Sequence, residues 1–255
     1  EASVKGNAML SESQSQYSAL MVMKQTIAPE LMQKFLKYEM NSYLQGRAME
    51  RKKEQPLALT EGQSYIHYRK GSVIMFGLQD YIGEEKVNLT LKNFLAEWQY
   101  PGPDSKRKRY PTSRDLIHFF RAETPDSLKF LIDDWFEHIT LYENKTTDAS
   151  YVKKSDKEYE VTIKFTSEIF RADSAGNEKP MPLNTQWYDV GVYTKGKDGE
   201  DKLLYLKKHR VTQKDNLVKI MVNGKPEKAG VDPINKLIDR HPEDNTKKVT
   251  EMPSI

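Results

Sequence analysis

Apolar residues recur at helical spacing through the first part of the chain and alternate in the second. From Glu12 to Lys24 the positions Tyr17, Leu20, Met21 and Val22 form one stripe. Pro29 suits the first turn of a second helix, where its missing N–H costs nothing. That helix carries Leu31, Met32, Phe35, Leu36, Met40, Tyr43 and Leu44 on a broad face and fades near Lys52 to Pro56. A third helix is predicted from about Ser64 to Ile82, ended by Gly83. A fourth follows, with Glu84 and Glu85 in its first turn and Val87, Leu91, Phe94, Leu95 and Trp98 as its buried stripe. Pro101-Gly102-Pro103 closes it. Thr112, with Asp115 three residues on, and Thr124 read as N-caps of two further helices. Their apolar faces are Leu116, Phe119 and Phe120, then Leu128, Leu131, Ile132, Trp135 and Phe136.

After Tyr142 the period changes to two. Tyr159, Val161, Ile163 and Phe165 alternate, as do Tyr188, Val190 and Val192. Leu203 to Val211 and Leu217 to Val222 are further strand candidates, with Lys197-Asp198-Gly199 and Asn223-Gly224 as turns. The pattern predicts an α+β chain. Residues 1–141 form a helical part, 142–230 a small antiparallel β-sandwich, and 231–255 a short helix or extended tail that is partly disordered. Ile234, Leu237 and Ile238 are the apolar group of that last stretch. No fixed-length repeat is visible, so nothing supports a helical solenoid.

Composition narrows the class. The 255 residues carry 30% charged side chains and a net charge of only +3. A nucleic-acid binder of this size should show a basic stripe. The dense basic run Lys106-Arg107-Lys108-Arg109 lies between prolines and reads as a solvated loop. The longest apolar runs, such as Ala19 to Met23, are far too short to span a membrane, so the piece is expected to be soluble. Cys is absent, which removes disulfides, thiolate zinc sites and Cys nucleophiles. The five histidines, His67, His118, His138, His209 and His241, show no metal spacing with one another.

Two segments carry candidate chemistry. Met9-Leu10-Ser11-Glu12-Ser13 opens the first helix, and Tyr68-Arg69-Lys70-Gly71 lies on the third. By residue type alone, Glu12 is a first-turn acid that complements a helix dipole, and Tyr68 is a tyrosine on a helix face. Together the segments resemble the second half of the active site of M1-type (gluzincin) zinc aminopeptidases, in particular a bacterial branch fused to an ABC-transporter permease. The resemblance continues through Gln63 to Tyr68, Leu78 to Gly83, Thr124 to Leu128 and Val231 to Asp239, and is weakest from about Lys153 to Val211. It implies a thermolysin-like catalytic domain in which a His-Glu-x-x-His helix supplies two ligands and a base. Glu12 would supply the third ligand. Tyr68 would donate to the oxyanion of the tetrahedral intermediate.

No His-Glu-x-x-His occurs in these residues, and the chain begins at Glu1 with no initiator Met. The resemblance therefore implies a C-terminal piece of a longer enzyme. Zn2+ and a peptide substrate belong to the intact parent. The fragment alone would be inactive and hold little zinc. The Gly-x-Met-x-Asn segment of the family would also lie upstream. Ser11 replaces the family's common Asn, and Arg69 its common Glu. Tyr65 and His67 neighbour Tyr68, but Tyr68 holds the register before Lys70-Gly71.

The resemblance implies a parent that hydrolyses N-terminal peptide bonds, is tethered to the bacterial inner membrane, and has the upstream peptidase half and a fused permease as partners of this piece. The alternative is a non-catalytic docking module of a transporter-associated protein. An intact upstream His-Glu-x-x-His favours the enzyme, and a broken one the module. Loss of the upstream half would expose apolar surface on the Glu12 helix, which a homodimer could cover.

Overall fold

A computed structural model describes residues 5–99, 109–184 and 186–253. Pro101 to Pro103 and Lys106 to Lys108, to which the sequence assigns a helix stop and a basic loop, lie outside the described residues. Of the described residues 42% are helical and 31% lie in strands, so the chain is α+β. It divides into two compact units. One comprises residues 1–27, 38–140 and 171–178; the other comprises 28–37, 141–170 and 179–255. The division is less simple than the expected boundary at 141, because two short segments are exchanged across it.

The first unit is helical. A π-helical turn, Met9–Ser13, leads into α1, Gln14–Thr26. The helix α2, Met32–Met49, follows a 3-10 turn that begins at Pro29, and its later part belongs to this unit. Another π-helical turn, Tyr65–Lys70, runs without a break into α3, Gly71–Ile82. Ten of the twelve residues of α3 are buried. A helix apolar on all sides must be enclosed by its neighbours, and α1 and α4, Glu84–Trp98, pack against it. Gly83 separates α3 from α4 at φ 98°, a conformation that favours glycine. Lys24 Nζ ties the end of α1 to both, at 2.9 Å from Gln79 Oε1 and 2.9 Å from Glu84 Oε2.

The helix α5, Ser113–Glu123, starts in the expected capping box. Thr112 backbone N–H donates to Asp115 at 2.8 Å. Thr124 does not cap a following helix. Its hydroxyl donates back to Phe120 carbonyl at 2.7 Å and closes α5. The next helical stretch begins at Asp126. It passes through α6, Lys129–Ile132, into a third π-helical turn, Asp133–Glu137. Leu95, expected in the buried stripe of α4, is 64% exposed.

The second unit holds two sheets. One has the order β3-β2-β1-β9 with β6 also paired to β2; the other is β5-β4-β7-β8. The strands are β1 Ile139–Lys153, β2 Glu158–Ala172, β3 Glu178–Met181, β4 Gln186–Lys195, β5 Asp201–Val211, β6 Asp215–Asn223, β7 Lys228–Val231, β8 Thr246–Lys248 and β9 Thr250–Glu251. The first residues of β1, the end of β2 and the start of β3 belong to the helical unit. The period-two residues Val161, Ile163 and Phe165 of β2 are buried beside Ile220 and Val222 of β6. Tyr142 of β1 meets Tyr188 of β4 edge to face, so the two sheets share a core.

Residues 232–253 do not form the expected short helix. Residues 232–239 are buried as a loop whose turns are tied by aspartates. Asp232 accepts from the backbone N–H of Lys236 at 2.9 Å and Leu237 at 3.1 Å, and Asp239 from those of Asn144 at 2.8 Å and His241 at 2.9 Å. The chain then completes both sheets. β8 pairs antiparallel with β7, and β9 runs parallel to β1. Its residues are polar because these strands lie at sheet edges, where alternate side chains face water.

Candidate functional site

The two segments singled out in the sequence lie against each other within the helical unit. The π-helical turn Met9–Ser13 packs on the π-helical turn Tyr65–Lys70. Such turns insert a residue into a helix and recur at functional sites, because the extra residue re-aims the side chains around it. The inserted register is seen directly at Gly71, whose backbone N–H bonds to Ile66 carbonyl, five residues back.

Two contacts lock the turns together. Ser13 hydroxyl donates to His67 carbonyl at 2.6 Å in a buried setting. A Cβ placed on Gly71 would stand 2.3 Å from Ser13 Oγ, so the helices approach as closely as a glycine allows. Gly71 of the tyrosine motif is thus a packing residue.

Lys70 has a different task. It is buried, lies 3.9 Å from Glu54 Oε1 and sits 5.2 Å above the Tyr43 ring. Glu54 also accepts from Tyr43 hydroxyl at 2.5 Å and from Arg47 Nε at 2.7 Å. Burial pushes the Lys70 ammonium down to about 8, against the pull of Glu54. Burial, then the charge of Glu54, lifts the Tyr65 phenol to about 12. Tyr65 stacks on Tyr43 and belongs to this cluster.

Arg69 is fixed by a third network. It donates to both oxygens of Glu39, at 3.1 and 3.0 Å, and Gln16 Nε2 donates to the same carboxylate at 2.9 Å. Gln16 lies one turn beyond Glu12. Glu39 therefore holds α1 and the Tyr68 turn in a common frame from a buried position on α2. Sequence reasoning assigned no role to Glu39 or Glu54. Their signal was an acid within an otherwise apolar helix face and an acid just past that helix.

Glu12 and Tyr68 stand on the two turns packed together in this frame, and both are half-buried. Hydrogen bonding to the Glu12 carboxylate, then burial, then the charge of Glu12 holds the Tyr68 phenol above its ordinary value. His67 lies beside them, with its ring 4.8 Å from that of Tyr68. Burial pushes its imidazole down, and the charge of Glu12 opposes that shift. Its buried Nδ1 has no hydrogen-bond partner among the described residues.

Among the described residues no group of three or more His, Asp or Glu side chains is arranged to hold an ion. One carboxylate does not fit a zinc site, which takes at least three protein ligands. Any zinc on Glu12 needs ligands from outside these residues.

No family model matches this chain, and no curated protein matches it. The resemblance to M1 peptidases rests on the motif residues themselves. Among the described residues no helix is long and apolar enough to cross a membrane.

Proposed function

We propose that this chain is the C-terminal part of a zinc-dependent aminopeptidase of the M1 type, built on a thermolysin-like catalytic domain. The observation that supports it most is the packing of the turn that carries Glu12 on the turn that carries Tyr68, both π-helical. In this reading Glu12 offers one carboxylate to a metal completed by an upstream His-Glu-x-x-His. A zinc ion so held supplies Lewis acidity and an activated water. This chain's own contribution to the reaction is the Tyr68 hydroxyl. A phenol with a raised pKa keeps its proton at neutral pH and can donate it in a hydrogen bond to developing oxyanion charge. The Glu39 and Glu54 networks fix the turn that carries it, so the donor need not reorganise during reaction.

The test uses the full-length protein that contains this chain. Bound zinc is measured for the wild type, Glu12→Ala and Tyr68→Phe, with kcat on aminoacyl reporter substrates. The reading expects near-stoichiometric zinc that Glu12→Ala loses. Tyr68→Phe should keep zinc while kcat falls by about 100- to 1,000-fold, the size of a lost oxyanion donor. A wild type without zinc would exclude the peptidase and leave a docking module as the account of these helices.

A further inference from the structure

A cleft of about 490 Å³ opens elsewhere in the helical unit, where α5 passes the π-helical turn Asp133–Glu137. Two guanidiniums, two imidazoles and one carboxylate, that of Glu137, line it. Arg114, His118 and Arg121 follow one another at helical spacing on α5 and all line it, and His138 faces them from the end of the turn. Arg121 is compensated. It lies 2.7 Å from Asp133 and 3.2 Å from Glu137. Arg114 makes no ion pair among the described residues. The acids nearest His138 are similarly occupied, since Asp134 is bound to Arg171 and Glu137 to Arg121. The floor is apolar, formed by Ile117 of α5 with Ala58 and Leu59.

We infer that this cleft binds a small organic anion, with a carboxylate or phosphate head on Arg114 and the two imidazoles and a short apolar body over Ile117 and Leu59. The volume lies in the range of small-molecule sites, which combine apolar walls with a few convergent polar groups. A guanidinium left without a carboxylate presents its fork of N–H donors to an oxyanion, and planar two-point recognition of carboxylate or phosphate is what Arg does best. Arg121, tied down by two acids, shapes the wall more than it offers charge. The α5 end of the cleft is anchored by Ser113, whose hydroxyl donates to Ala58 carbonyl, so cationic wall and apolar floor are fixed to each other. This inference does not depend on the peptidase reading.

Calorimetric titration of the chain with phenyl phosphate, benzoate and inorganic phosphate tests it. The expected result is saturable one-to-one binding of phenyl phosphate or benzoate. Whichever of the two binds more tightly identifies the head group. Arg114→Ala should weaken that binding at least about tenfold, or about 1.4 kcal/mol. Lys219→Ala on β6, a control that changes net charge equally, should leave it unchanged. Circular dichroism establishes that each variant is folded. Absence of saturable binding of either aromatic anion, or binding that survives Arg114→Ala, would overturn the inference. Equal affinity for inorganic phosphate and phenyl phosphate would overturn the apolar half of it.

Discussion

Ser13 occupies the space that any side chain on Gly71 would require. An ideal Cβ at position 71 would fall 2.3 Å from Ser13 Oγ, 2.8 Å from Ser13 Cβ and 3.4 Å from Leu57 Cδ1. Intrinsic propensity alone would favour Gly71→Ala by about 1 kcal/mol. The overlap acts the other way, and overpacking in a close-fitting core costs about 1–3 kcal/mol. Gly71→Ala is therefore expected to lower stability, and Ser13→Gly in the same chain to restore part of the loss. Urea unfolding midpoints of the two variants decide it; a stabilised Gly71→Ala would show that the helices can separate freely.

Lys70 makes stability depend on alkaline pH. Its folded pKa of about 8 lies below the unfolded 10.5, so above the lower value the unfolded chain binds more protons than the native one. Its contribution to stability then rises with pH, by up to about 1.4 kcal/mol per pH unit between the two values. Tyrosine ionisation complicates the upper end, which sets the useful window at about pH 8 to about pH 9.5. Lys70→Met keeps the volume and removes the proton. The difference in unfolding free energy between wild type and Lys70→Met should shift in favour of the wild type across that window. A constant difference would mean that Lys70 is not titrating there.

Glu54 holds two buried or half-buried cations, and its charge is the counterweight. Glu54→Gln leaves Arg47 and Lys70 without it, and breaking a buried pair from one side costs about 3–5 kcal/mol. Arg47 keeps its 3.3 Å contact with Glu178, which places the expected loss at the lower end. Adding Lys70→Met should recover part of it. Thermal unfolding of both variants measures the effect, and strictly additive losses would sever the proposed link between Glu54 and Lys70.

The buried Asp232 carries the opposite sign of pH dependence. Burial lifts its carboxyl to about 8, despite the backbone N–H groups of Lys236 and Leu237, and Asp189 and Asp239 add to the shift. The stability it contributes is complete below its ordinary value of 3.8 and is lost as pH rises through about 8. Asp232→Asn cannot ionise, and its amide oxygen can still accept from the loop backbone. Relative to the wild type it should gain stability by more than about 1 kcal/mol as pH rises from about 5 to about 7.5. Denaturant titrations at the two pH values check this. A loss instead of a gain would mean that the ionised carboxylate is required.

Several of the helices were legible because local residues mark their ends. Thr112 with Asp115 and Gly83 are local signals, and the structure uses both as the sequence implied. Thr124 misled because a hydroxyl can bond forward to cap a helix or backward to close one, and only the neighbouring turn decides. The alternation of Val161, Ile163 and Phe165 was enough to identify a strand with one buried face, since period two follows from the pleat. The pairing of the last residues was not legible because Thr246 to Glu251 are polar. Edge strands are held by backbone pairing, which leaves no mark in composition.

Within the candidate site, the sequence by itself determined that an acid opens the first helix and a tyrosine lies on the third, and that a Lys-Gly pair begins two residues after the tyrosine. It could not determine that Lys70 turns away to Glu54, that Gly71 serves the approach of Ser13, or that Glu39 clamps Gln16 and Arg69. Those are long-range contacts, and each depends on where the widened π-helical turns aim their side chains. Periodicity reports only which face of a helix is apolar. Which buried acid meets which buried base is settled when the helices pack, because a charge removed from water must find its partner there.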